Sequence, residues 1–105
     1  MKRITNKAHV ERIKRMDCCL CGATGPSDAH HIREGQGMSQ RASDVLVIPL
    51  CKSCHQGKAG IHGDRSMLRI FKVEELDLLA LTLEELLKAA YRAMPDSMRR
   101  NRSKS

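Results

Sequence analysis

Four of the five cysteines fall into two pairs, Cys18-x-x-Cys21 and Cys51-x-x-Cys54. A CxxC turn sets two thiolates side by side, and two such turns brought together make a closed tetrahedral four-cysteine site for Zn2+. The 29 residues between the pairs exceed a minimal zinc ribbon and include His30-His31. The bland alternative is a set of merely buried cysteines, and two CxxC pairs in so cysteine-poor a chain argue against it. Cys19 is the odd thiol, either a small buried residue or a register alternative to Cys18. Cys51-Lys-Ser-Cys54-His55 also fits the C-x-x-C-H pattern of c-type haem attachment. That chemistry needs an oxidising export route and leaves Cys18 and Cys21 without a task, so zinc is the better account.

The histidines add a second layer. His30 and His31 form a dyad, His55 follows the second CxxC pair, and Asp44 lies between them. His62 comes seven residues after His55, two helical turns, so both rings share a face if one helix continues through the glycines. A lone histidine is more often structural than reactive. A dyad, a CxxCH and an intervening Asp together are harder to dismiss.

Several elements must position these side chains. Asn6 to Met16 reads as a short basic helix with Val10, Ile13 and Met16 on its apolar side. Residues 18–29 are turn-rich, His30 to Arg33 is a short strand, and 35–41 is a flexible loop. Val45 to Leu50 is a β-branched second strand. A helix starts near Cys51 or Lys52 and is interrupted by Gly57, Gly60 and Gly63. The C-terminal third is helical: Thr82-Leu-Glu-Glu85 has the form of a capping box, and Leu83, Leu86, Leu87, Ala90 and Met94 recur at core-facing spacing before Pro95 ends the helix. The expected class is α+β, one domain of 105 residues without internal repeats. Its parts are a basic N-terminal helix (1–17), a zinc-bound core (18–65), a helical scaffold (66–94) and a basic tail (95–105).

Composition narrows the function. The chain has one Phe, one Tyr and no Trp, a thin core for which a metal staple compensates. The formal net charge is +7, which points to a polyanionic partner. Charge is uneven: residues 74–90 carry five acids against one Lys, while residues 1–17 carry six Lys or Arg against two acids. The basic ends are either solvated tails or arms along a phosphate backbone. The N-terminus lacks the apolar region of a signal peptide, and no apolar run is long enough to span a bilayer. A cytoplasmic protein with reduced thiols is expected, with neither a membrane nor a small-molecule substrate as partner.

The order Cys-x-x-Cys, DAHHIR, Asp44, PLCKSCH resembles the HNH or ββα-metal endonucleases, over roughly residues 18–62. Within that group, HHIREGQG…SDVLVIPLCKSCHQG…GIHG is most similar to the phage recombination-enhancement (Ref-type) nucleases, whose cleavage depends on RecA filaments. The resemblance implies a strand, loop, strand and helix around one catalytic metal, with flanking helices and a zinc staple. It implies His31 as the general base, and an unperturbed imidazole can accept a proton at neutral pH. His30 and His55 become ligands of a catalytic Mg2+ or Mn2+, and His62 completes the set or touches phosphate. Asp44 stands where the family has its middle Asn, and an Asp can accept but not donate hydrogen bonds. Arg33, Arg41, Lys52, Lys58 and Arg65 surround the motif as candidate phosphate contacts. The expected activity is hydrolysis of DNA phosphodiester bonds in recombination of phage or prophage origin, with DNA and a RecA filament as partners. Two other functions compete: a non-catalytic zinc-ribbon module binding nucleic acid, and an adaptor docking on RecA through Glu74, Glu75, Glu84 and Glu85.

Overall fold

The computed structural model describes residues 4–33 and 42–99. These form a small mixed α+β unit: helix α1 (Lys7–Lys14), strands β1 (Asp28–His31) and β2 (Val47–Leu50), helices α2 (Lys52–Gln56), α3 (Ser66–Phe71) and α4 (Glu75–Ala93), and a final 3-10 turn (Asp96–Met98). The expected loop 35–41 lies outside the described residues.

The two strands pair antiparallel with Asp28 opposite Leu50 and His31 opposite Val47. Every residue of β2 is buried, as expected for a β-branched segment covered on both faces. Pro49 is tolerated because the ladder has two strands and one edge needs no donor; its carbonyl accepts the Cys19 amide at 3.0 Å. The core gathers Cys18, Ile32, Ile48, Leu50, Cys54, Ile61, Leu68 and Leu78. Helix α1 is capped by the Asn6 side chain, which accepts the His9 amide at 3.0 Å, and it buries Ile13 alone. No described helix is long and apolar enough to cross a membrane.

Some expectations needed correction. The strands begin at Asp28 and Val47 rather than at His30 and Val45, and α1 is shorter than 6–16. The C-terminal helix does not start at Thr82. It starts at Glu75, and the capping box is made by Glu74 and Asp77. Thr82 sits inside the helix, where its hydroxyl donates to the Leu78 carbonyl at 2.9 Å, the back-bond that lets a Thr occupy a helix interior. The stripe containing Leu83 and Leu87 does not face the core; both are exposed, and α4 buries Leu78 and Thr82 instead. The second CxxC helix is interrupted at Gly57 as expected, so His55 and His62 do not share one helix.

Candidate functional site

The first cysteine pair lies in the loop after α1; Cys51 caps α2 and Cys54 lies within it. Their four sulfurs lie within 4.8 Å of one another. Cys21 and Cys51 are 3.7 Å apart through Sγ. Two sulfurs on a tetrahedron of about 2.3 Å radius lie about 3.8 Å apart, so the donor set fits zinc; a disulfide would need about 2.05 Å. Burial pushes the Cys18 thiol up, but amide groups of Cys21, Cys51 and Leu20 outweigh it and bring its pKa to about 7. Burial and the neighbouring thiols push Cys54 up. The four cysteines together can hold a metal such as zinc. Cys19 is outside the cluster: it is half-buried against the core, and burial pushes its thiol to about 12 despite a bond to Thr82.

A second cluster joins β1, α2 and the loop after α2. One ring nitrogen from each of His30, His55 and His62 falls within 4.8 Å of the others. The ring centroids are 5.2 Å apart for His30 and His55, 5.1 Å for His30 and His62, and 4.7 Å for His55 and His62. His62 arrives through a tight loop, not along a helix. Its amide donates to the His55 carbonyl at 2.9 Å, and the chain turns back so closely that a Cβ on Gly60 would sit 2.6 Å from the Cys54 carbonyl oxygen.

Two of these rings are held from behind by carboxylates. His30 Nε2 lies 2.7 Å from Glu75 Oε1, and His55 Nδ1 lies 3.1 Å from Asp28 Oδ2. Each carboxylate accepts the N–H it faces, which leaves Nδ1 of His30 and Nε2 of His55 as lone-pair donors; this is how proteins fix a metal-binding imidazole. Burial lowers the His30 pKa although Glu75 opposes it, so the ring is neutral, the form a metal requires. The Glu75 carboxyl is raised by burial, yet Arg65 and His30 hold it below its usual range. Arg65 donates to Glu75 Oε2 at 2.9 Å from a left-handed backbone (φ 63°).

Residues 1–88 match the family described as "Protein of unknown function (DUF968)". The chain belongs to the DUF968 family. It is also similar to the "Uncharacterized protein YdfU" of Escherichia coli (strain K12), 33% identical over 55 residues. That match covers 51% of this chain and spans 16% of the relative's length. No solved structure matches.

The third histidine pairing in this DUF968 chain is His31 with Asp44. His31 Nε2 lies 2.9 Å from Asp44 Oδ1, and Asp44 Oδ2 accepts the Asn6 amide at 2.8 Å. His30, His31, His55 and His62 all line one open cleft of about 1100 Å³. Of the expected basic residues, Arg33 and Arg65 line it. Lys52 and Lys58 are exposed elsewhere, Lys52 beside Asp28 Oδ1 at 3.3 Å, and Arg41 lies outside the described residues. Sequence reasoning missed Arg69 and Lys72, which line the cleft from the α3 side, and the carboxylates Asp28 and Glu75. Asp28 was findable, being two residues before His30 on one strand and hence on its face. Glu75 carried no local signal. It was expected to be an exposed docking residue, and tertiary packing instead turns it inward to His30.

Proposed function

We propose that this chain is a metal-dependent endonuclease of the ββα-metal type, cutting DNA phosphodiester bonds. The observation that carries the reading is the buried Asp44 against His31 in the same cleft as the three-histidine cluster. Asp44 accepts the Nε2–H of His31 and leaves Nδ1 with its lone pair, so His31 can take a proton from an attacking water. The Asn6 amide keeps Asp44 in place. His30, His55 and His62 would hold the divalent ion, Mg2+ or Mn2+, and their nitrogen donors suit Mn2+ the better. Such an ion, when bound, polarises a phosphate and offsets charge on the departing oxygen. Arg33, Arg69 and Lys72 are placed to hold neighbouring phosphates without reading bases. The four-cysteine site is structural in this reading, and zinc there knits α2 to the loop after α1.

The test is conversion of supercoiled plasmid to nicked circle by the zinc-loaded protein with added Mg2+ or Mn2+. Wild type should cut, and His31→Ala should lose about 10²–10⁴-fold in rate, the usual contribution of a positioned general base. Equal cutting by both proteins would remove His31 from the mechanism. Salt-sensitive DNA binding with no cleavage under any divalent ion would favour the zinc-ribbon reading instead.

A further inference from the structure

Helix α4 has 19 residues, but its buried side chains, Leu78 and Thr82, both lie in its first half. From Leu83 to Ala93 no side chain is buried. A helical stretch of that length whose side chains are at most half-buried, as Leu86 and Tyr91 are, is marginal in water. Leu76 is 51% exposed, Leu83 42% and Leu87 69%. Together with Ala80, Ala90 and Met94 they recur at intervals of four, three, four, three and four residues. That is the 3.5-residue period of a coiled-coil seam. At about 100° per residue the seam lies on a different side of the helix from Leu78 and Thr82, so the core does not cover it.

Charge selects the occupant. Glu74, Glu75, Asp77, Glu84 and Glu85 occupy the first part of this segment, and Lys88 and Arg92 follow. A parallel pair of such helices would set acid against acid. An antiparallel pair sets the acidic part of each against the basic part of the other.

We propose that the seam of α4 pairs antiparallel with α4 of a second copy of this chain, about a two-fold axis beside residue 85. About that axis Leu83 meets Leu87 of the second copy, Ala80 meets Ala90, and Leu76 meets Met94. Large residues face large and small face small in every layer, which is the self-complementarity a two-fold interface demands. Glu84 then lies within a turn of Lys88 on the other copy, and Asp77 beside its Arg92. This pairing does not depend on the nuclease reading, since no residue of the cleft's histidine set takes part.

Sedimentation velocity on the zinc-loaded full chain across a dilution series tests it. Wild type should reach twice the chain mass of 11.8 kDa. Leu83→Glu with Leu87→Glu should return the single-chain mass with zinc content unchanged, and circular dichroism should lose no more helix than the 83–93 segment holds. Should that variant fold poorly, a charge swap decides: Glu84→Lys alone and Lys88→Glu alone should each weaken self-association several-fold, and the two together should restore it. A single-chain mass for wild type at every concentration overturns the proposal. So does a dimer indifferent to both sets of substitutions.

Discussion

Glu75 uses both carboxylate oxygens, one on His30 and one on Arg65, and Asp28 does the like for His55 and Lys52. The imidazoles therefore reach the cleft with their tautomers already chosen, and the entropy of turning each ring is removed in advance for any ion that they would hold. Glu75→Gln keeps the shape but faces His30 with a weaker, uncharged acceptor. Titration calorimetry of the zinc-loaded protein with Mn2+ should show binding weakened by about 10–100-fold, the usual effect of losing such a partner. Asp28→Asn should act likewise through His55, while zinc at the four cysteines stays bound. Affinity unchanged in both variants would reduce these carboxylates to ordinary packing. The same residues mark the limit of what sequence could reveal. The cysteine pairs and the dyad stand out by type and spacing, and Asp44 was singled out through the resemblance. Glu75 was not, since a helix folded back from 45 residues away delivers it.

At the scale of elements, the short pieces around the cysteines cannot hold themselves. α2 is five residues long and α1 eight, lengths at which helices in water do not persist. The four-cysteine site ties α2, the loop after α1 and, through Cys19 and Pro49, the strand β2. A structural zinc contributes on the order of 10 kcal/mol, comparable to the whole stability of a domain, about 5–15 kcal/mol. Stripping the ion with a strong chelator at neutral pH should abolish the cooperative thermal transition seen by circular dichroism, and Cys51→Ser should mimic it. A melt at the original temperature after proven zinc loss would show that packing alone suffices. Element ends were readable where one residue decides them, as with Pro95 after α4, whereas Asn6, read as the first residue of its helix, is the cap before it. Thr82 misled because the S/T-x-x-E pattern is local, whereas the helix gains more by extending back to Glu74, where Leu78 reaches the core. The leucine stripe misled for a related reason. Helical period announces an apolar face but not what lies against it, and two such faces run along α4.

Over the whole molecule, the net charge of +7 is an average that conceals a division. The cleft carries Arg33, Arg65, Arg69 and Lys72 on its lining, but also Glu74, Glu75 and Asp77 from the start of α4. Arg65 is half-exposed and tied to Glu75, so part of its charge is neutralised internally. Arg69 on α3 and Lys72 just after it are exposed and better placed to meet a phosphate. A polyanion drawn to the molecule should therefore follow the α3 wall of the cleft and avoid the acidic α4 wall, whose far side carries the apolar seam. Each cation that displaces a counterion from DNA adds about one to the slope of log affinity against log salt. Arg69→Gln and Lys72→Gln should each lower DNA affinity alike for unrelated sequences and reduce that slope by about 1, as read by fluorescence anisotropy across a salt series. Lys58→Gln, on an exposed residue outside the cleft, should leave the slope nearly unchanged and serves as the reference. If the cleft variants keep the wild-type slope while Lys58→Gln loses it, the nucleic acid lies on the α2 side, and His31 with its neighbours faces a different substrate.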